Sequence, residues 1–174
     1  MNQQARRIGL VVVAVALAVT ACSVSVGGKK YDAGAIEAKL KSSQQGKTGG
    51  LPIGDAACPE DVKITEGVTF TCTLAIDGIE APYKIVLTKV EEDTAHIEIA
   101  PAKAIIATSA AAGFVKKNLN SQDPGITVVC GKAGEKLILA DPGDTIVCTA
   151  SLGTDREVIN LTVKDTQGNV TVAS

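Results

Sequence analysis

The sequence predicts an α+β fold of two tandem repeats, each with one helix packed on a three- to four-stranded antiparallel sheet and one internal disulfide. The first observation is that the segment from Cys58 to Cys72 has a second, looser version from Cys130 to Cys148. The second is that a helix-like segment precedes each cysteine pair and strand-like segments follow it. The third is that 45% of the residues are hydrophobic and 21% are charged, which is enough apolar material for two small cores.

The aliphatic composition and the weak net charge restrict the classes of function. The chain has two tyrosines, two phenylalanines and no tryptophan, so stacking surfaces for sugars or single-stranded nucleic acid are poorly supplied. The formal net charge is −2, and the sequence therefore lacks the basic character of a nucleic-acid-binding protein. We expect no nucleic-acid partner.

Residues 1–21 have the layout of a bacterial lipoprotein signal peptide. A short segment with two arginines precedes twelve apolar residues, which are fewer than the roughly 20 needed to span a bilayer as a permanent helix. The run VTAC at residues 19–22 resembles the lipobox, in which the leader is cleaved and the cysteine thiol takes a diacylglyceryl group. We therefore predict acylation of Cys22, a flexible lipidated tether over residues 22–30, and a location on the outer face of the bacterial cytoplasmic membrane. The alternative is an uncleaved signal anchor with Cys22 buried in it.

The first repeat is predicted over residues 31–100. Asp32 is expected to cap the helix, and the alternation of apolar residues around Cys72 places that cysteine on the core face of its strand. Asp77-Gly78 predicts a two-residue hairpin. The expected elements are a helix over residues 33–45, a short strand over residues 62–64, and strands over residues 68–76, 82–90 and 95–99.

The second repeat is predicted over residues 101–174. Pro101 opens it, and Asp123-Pro124-Gly125 is expected to end its helix. The strand around Cys148 repeats the alternation seen around the corresponding cysteine of the first repeat. The expected elements are a helix over residues 102–119 and strands over residues 126–130, 137–139, 146–152, 158–164 and 170–172.

Four cysteines remain once Cys22 is assigned to lipid, and four cysteines allow three pairings. If each repeat folds as a unit, the disulfides are Cys58–Cys72 and Cys130–Cys148, each worth about 3 kcal/mol in the loop-entropy account. A metal site and a redox pair are the competing interpretations. Both are disfavoured because neither pair has a CxxC spacing and the chain has a single histidine.

The run CPEDV at residues 58–62, followed by GVTFTC at residues 67–72, resembles the domain of unknown function 4333. That family occurs on secreted and lipid-anchored envelope proteins of actinobacteria, and the resemblance covers residues 31–100. The second repeat keeps both cysteines and Gly143. It has Gly131 where the pattern has proline, and four more residues between its cysteines. The resemblance implies location and architecture, and it brings no catalytic residue.

No segment of the sequence predicts a catalytic, cofactor-binding or metal-binding site. His96 and Glu98 share one face of a predicted strand, but a single histidine on a polar sheet face is ordinary surface. Residues 141–144 lack the ligand spacing of a calcium loop and are interpreted as a proline-glycine turn. Asn160 and Asn169 match the glycosylation pattern and are interpreted as residues at strand edges.

These observations favour a non-enzymatic, lipid-anchored binding or interaction module of the cell envelope. Its partners are expected to be the membrane, through the lipid, and an envelope protein, lipid or glycan of unknown identity. One alternative is an inhibitor of a secreted or periplasmic hydrolase, by analogy with the architecture of the beta-lactamase inhibitory protein. Another is an enzyme that uses His96 together with carboxylates.

Overall fold

The computed structural model describes residues 20–24, 32–91, 94–119 and 125–173. These residues form a mixed α+β structure with antiparallel sheets and two helices. In chain order the elements are β1 (Thr20–Val24), α1 (Ala33–Gln44), β2 (Ile53–Ala57), β3 (Thr69–Ile76), β4 (Ile79–Val90), β5 (Ala95–Pro101), β6 (Ala104–Ala107), α2 (Thr108–Asn118), β7 (Thr127–Cys130), β8 (Leu137–Ala140), β9 (Thr145–Leu152), β10 (Asp155–Val163) and β11 (Val170–Val172).

Helix α1 begins where the sequence predicts. The Asp32 carboxylate accepts a hydrogen bond from the Ala35 N–H (3.1 Å) and caps the first turn. Ile36 and Leu40, one turn apart, are fully buried and pack the helix onto the first sheet. The helix ends just before Gly46, whose φ of 77° lies in the left-handed region that favours glycine.

The first sheet has five antiparallel strands in the order β1-β5-β4-β3-β2. Strands β3 and β4 meet in the predicted hairpin, where Asp77 and Gly78 both have positive φ. Cys72, Leu74 and Ile76 alternate onto the buried face of β3. The predicted position of Cys72 on the core side of its strand is therefore confirmed.

Strand β2 was not predicted, and the short strand predicted over residues 62–64 is absent from the structure. Gly54 and Asp55 lie within β2, although both residue types are unfavourable in strands. The pairing of β2 with β3 also shifts register partway along. Neither residue preference nor strict alternation could therefore reveal this strand from the sequence.

The second sheet has four antiparallel strands in the order β11-β10-β9-β7. Ile146, Cys148 and Ala150 alternate onto its buried face, as the sequence predicts. Ala111 and Val115 of α2 are buried in the same core. This sheet and the first one each carry one helix on the face that forms the core.

The predicted helix over residues 102–119 is wrong at its start. Residues Ala104–Ala107 form strand β6, and α2 begins only at Thr108. The segment AIIA is apolar on both faces, so periodicity alone does not separate a short buried strand from a helical turn. Residues 104–107 form a strand because they pair with β8. The pairing ends where the Thr108 N–H donates to the Lys136 carbonyl oxygen (2.9 Å).

The two-stranded sheet of β6 and β8 lies between the two cores. Side chains of one face, Ile105, Leu137 and Leu139, pack in the first core, and those of the other face, Ala104, Ile106, Ile138 and Ala140, pack in the second. Lys136, just before β8, also lies 3.4 Å from the Asp77 carboxylate of the first hairpin. The two cores are therefore joined through a shared layer of apolar side chains.

Replacing Leu137 by Ala tests whether the shared layer couples the stability of the two cores. Leu137 is 2% exposed and belongs to the first core although its strand lies between the cysteines of the second pair. We expect the free energy of unfolding to fall by about 2–5 kcal/mol, as for other buried Leu→Ala changes. Amide hydrogen exchange should become faster in β4 of the first sheet as well as in the second sheet.

Leu152→Ala is the matched control, because Leu152 is 44% exposed and belongs to neither core, so its truncation should change stability by much less than that of Leu137. If Leu137→Ala speeds amide exchange only in the second sheet, the two cores are not coupled through this layer.

Candidate functional site

Cys22, the predicted acylation site, lies in the middle of edge strand β1, where its backbone pairs with Ile97 of β5. The strand spans the predicted cleavage point between Ala21 and Cys22. The start of the predicted tether is therefore in a strand, while residues 25–30 of the tether and residues 1–19 of the predicted signal peptide lie outside the described residues. Within the described part of the chain, no helix is long and apolar enough to cross a membrane.

The four remaining cysteines form the two predicted disulfides. Cys58 and Cys72 are joined with an S–S distance of 2.05 Å, and Cys130 and Cys148 with one of 2.01 Å. The first bond joins Cys58, the residue directly after β2, to β3, and the second joins the directly paired cysteines of β7 and β9. The Glu37 carboxylate of α1 accepts a hydrogen bond from the Cys58 N–H (2.9 Å). In the first sheet the disulfide region is thus also tied to the helix.

Backbone hydrogen bonds around the two disulfides follow one pattern. The Gly67 N–H donates to the Leu87 carbonyl oxygen (2.7 Å), and the Gly143 N–H donates to the Val163 carbonyl oxygen (2.8 Å). In each case the acceptor residue's own N–H donates back to the residue after the glycine (2.9 Å). Both glycines have positive φ and precede the cysteine of the next strand by the same number of residues. In this pattern Leu87 of β4 therefore corresponds to Val163 of β10.

His96 and Glu98 lie on one face of β5, as the sequence predicts, and both are half-buried. The His96 carbonyl oxygen accepts a hydrogen bond from the Thr88 hydroxyl (3.3 Å), and Lys89 is its partner on β4. Among the described residues, no group of three or more His, Cys, Asp or Glu side chains is placed to hold a metal ion. Lys89 and Glu91, which form an ion pair with each other, lie near the His96 side of this face.

The acidic segment at residues 141–144 is a turn whose carboxylates make contacts within the fold. The Asp144 carboxylate accepts a hydrogen bond from the Asp141 N–H (2.8 Å). The Asp141 carboxylate accepts one from Lys103 (2.8 Å), and this bond raises the pKa of the lysine. A calcium loop directs several oxygens at one point, whereas these carboxylates are engaged in hydrogen bonds within the fold.

The two asparagines of the glycosylation pattern occupy different environments. Asn160 is exposed on β10. Asn169 lies in the turn before β11, where its side-chain amide donates to the Asp165 carboxylate (2.7 Å). That carboxylate also accepts from the backbone N–H groups of Gln167 (3.0 Å) and Asn169 (3.2 Å). Asn169 is therefore part of the turn that leads the chain into its last strand.

Tyr83 lies on β4 directly opposite Cys72 and is 1% exposed. Burial raises the pKa of its hydroxyl well above the ordinary value of about 10, because the charged phenolate is poorly solvated in the core. The side chain is neutral at physiological pH. Its place is in the first core, and it is not a group poised to exchange protons near neutrality.

The two sheets differ on the faces turned away from their cores. The outward face of the first sheet carries threonines and charged side chains, among them Thr71, Lys84 and Glu98. The outward face of the second sheet carries three exposed valines: Val129, Val147 and Val158 are 60%, 51% and 64% exposed. The second face is therefore the more apolar of the two.

Sequence reasoning missed these valines, although the sequence contains a signal for them. Each stands next to an aliphatic residue that points into the core, in the pairs Val128-Val129, Ile146-Val147 and Val158-Ile159. Such adjacent pairs break the alternation of apolar and polar residues expected of a half-buried strand. Three breaks in three neighbouring strands mark an outward face with apolar character.

Comparison with known families matches the first half of the chain. Residues 17–92 match the family described as Domain of unknown function (DUF4333). The DUF4333 match includes Cys22, helix α1, strands β2 to β4 and the first disulfide, and it ends before β5. The resemblance of the second cysteine pair to this family stays a prediction. No curated protein and no solved structure matches the chain.

Removing either disulfide should destabilise the protein. We expect the double changes Cys58→Ala/Cys72→Ala and Cys130→Ala/Cys148→Ala each to lower the free energy of unfolding by about 3 kcal/mol, because each bond restricts a loop of the unfolded chain. Urea unfolding under non-reducing conditions measures the change. Thiol titration of the denatured wild-type chain should find no free thiol other than that of Cys22; four further reactive thiols would overturn the pairing.

The buried phenol predicts a loss of stability at alkaline pH. Above about pH 10 the unfolded chain releases the Tyr83 proton while the folded protein keeps it, so the folded state binds more protons and stability falls as the pH rises. The slope from this one group is about 1.4 kcal/mol per pH unit. Urea unfolding of wild type and Tyr83→Phe between pH 8 and 11 should show a steeper decline above pH 10 in the wild type only. Equal slopes in both proteins would contradict it.

Proposed function

We propose that this protein is a non-enzymatic, lipid-anchored interaction module on the outer face of a bacterial cytoplasmic membrane. It consists of a signal peptide over residues 1–21, a lipidated segment from Cys22, and two related α+β repeats over residues 31–100 and 101–174. Its partner is another envelope component, a protein, lipid or glycan, that is bound by the folded repeats while the acyl chains hold the protein at the membrane.

The observation that carries the proposal is the position of Cys22. It follows a leader with a short apolar segment, and it lies in a strand that joins the edge of the first sheet. The DUF4333 match also extends over this cysteine. Two or more acyl chains give stable membrane attachment where one chain gives only marginal attachment. An anchor at Cys22 would therefore hold the folded part of the chain directly at the bilayer surface.

Matched contacts support the duplication. Both disulfides join corresponding strand pairs, and the hydrogen bonds of Gly67 with Leu87 recur between Gly143 and Val163. Two related repeats on one anchor present two sheet faces to the surroundings of the membrane. If both faces engage the same partner, the second contact forms at a high effective concentration, and the apparent affinity exceeds that of either contact alone.

Anchoring is tested by comparing the wild type with Cys22→Ser in a bacterial host. We expect wild-type protein in the membrane fraction, with an N-terminal peptide that begins at Cys22 and carries the mass of the acyl groups. The Cys22→Ser protein should lack that mass because it has no thiol to accept the diacylglyceryl group. A membrane-bound wild-type chain with a free Cys22 thiol and an intact leader would instead establish the uncleaved signal anchor.

Binding is tested separately by chemical crosslinking in intact cells followed by affinity purification. The matched control is residues 1–31 of this chain fused to an unrelated domain, which keeps the anchor and removes the repeats. We expect a partner that is recovered reproducibly with the wild type and not with the control. Failure to recover any such partner, with acylation of Cys22 demonstrated, would leave the anchor established and overturn the interaction role.

A further inference from the structure

We propose that the pairing of β1 with β5 sets the order of events at Cys22: the leader is processed before the first sheet closes, and closure protects a site that is still unprocessed. The inference rests on the anchoring proposed above, because it concerns the timing of acylation and cleavage at this cysteine. Strand β1 contains the peptide bond between Ala21 and Cys22, with two of its residues before the bond and three after it.

The backbone of β1 is paired with β5 along its whole length. Ala21 lies opposite Glu98 and Cys22 lies opposite Ile97, so both residues of the cleavage site are within the ladder. Pairing engages the backbone N–H and C=O groups that an enzyme binding an extended segment would use. An enzyme therefore reaches a site in this state only in the fraction of molecules in which the strand has separated.

Strand β5 is a stable partner because it belongs to the interior of the first sheet. It lies between β1 and β4, and its residues Ile97 and Ile99 are buried in the first core. Helix α1 also contacts β1. Separating residues 20–24 therefore breaks contacts with two elements, although strands at the margin of a structure open more readily than those in its core. We expect closure to slow processing and not to abolish it.

The order of the elements in the chain leaves a period in which the cleavage site is unpaired. Helix α1 and strands β2 to β4 lie between β1 and β5 in the sequence. At 5–20 residues per second, synthesis of this stretch of about 70 residues takes roughly 4–14 s. Pairs that are distant in sequence also form late, because closing a long loop costs entropy. The site is therefore accessible in the growing chain and becomes protected when the sheet is completed.

The chemistry proposed for Cys22 has two steps, and both act in the middle of this ladder. In the first step the sulfur forms a thioether bond to a glyceryl carbon of a phospholipid, whose phosphate headgroup leaves and takes up the thiol proton. In the second step water hydrolyses the amide between Ala21 and Cys22, which gives a carboxylate on Ala21 and an amine on Cys22. Each step needs access to atoms of residues that β5 holds in the folded chain.

The test compares two double variants that differ only in whether the prolines fall inside β1. Ser23→Pro/Val24→Pro changes two consecutive residues of the strand, so at least one proline removes an N–H group from the ladder. Ser25→Pro/Val26→Pro makes the same change to the same dipeptide just after the strand. Each full chain is prepared by cell-free synthesis with its leader uncut and its disulfides formed. The corresponding peptide of residues 1–31 reports how well the enzymes accept each sequence without the sheet.

Processing is followed by mass spectrometry in detergent-solubilised bacterial membranes, in which every substrate reaches the enzymes equally. We expect the full wild-type chain and Ser25→Pro/Val26→Pro to be processed at least tenfold more slowly than their own peptides. Ser23→Pro/Val24→Pro should be processed within about twofold of its peptide. Equal rates for the wild-type chain and its peptide overturn the inference alone, whereas a wild-type peptide that is never acylated overturns the anchoring and this inference with it.

Hydrogen exchange reads the pairing without any enzyme. In the folded, uncut chain we expect the amides of residues 20–24 to exchange at least tenfold more slowly in the wild type than in Ser23→Pro/Val24→Pro. The amides of β4 should stay protected in both proteins, which shows that the rest of the sheet is folded. Rapid exchange of residues 20–24 in the wild type, with β4 protected, overturns the inference.

Discussion

The packing of the two hydrophobic cores against each other depends on the small sheet of β6 and β8. This sheet is apolar on both faces, and each face packs in one core. Strands of four residues make few hydrogen bonds, so their stability comes from the side chains that they bury. Leu137 lies between Cys130 and Cys148 in the chain, yet it packs in the first core. The same loop therefore closes the second disulfide and completes the first core, and helix α2 begins where β6 leaves this shared layer.

Alternation of apolar and polar residues was enough to predict the central hairpins, the positions of Cys72 and Cys148 on core faces, and the turn at Asp77-Gly78. It failed where a segment is buried on both faces, as in residues 104–107, because a short apolar run has no period to distinguish strand from helix. It also failed at β2, where Gly54 and Asp55 are tolerated only because β3 supplies the partner strand. Both failures are cases in which tertiary contacts decide the local structure.

The exposed valines of the second sheet lie beyond what alternation can predict. Alternation of apolar and polar residues locates a core face, but an adjacent aliphatic pair such as Ile146-Val147 leaves open which of the two residues faces the core. Only the structure shows that Val147 points away from Cys148 and that Val129 and Val158 lie on either side of Thr149. The two sheets therefore place their disulfides and core residues alike and differ on their outward faces, of which the second is the more apolar.

The edge position of β1 links the predicted processing of the leader to the first sheet. Cleavage before Cys22 would remove Thr20 and Ala21, which pair with Ile99 and Glu98, and would leave Cys22–Val24 paired with Ile97, His96 and Ala95. Part of the backbone edge of β5 would then lose its partner strand, and an unpaired edge is a site where another strand can add. Acyl chains on Cys22 would hold that edge within a strand's width of the bilayer, where lipid headgroups restrict access to it. An anchor built into the edge strand would therefore both position the first sheet and cover the edge that processing would open.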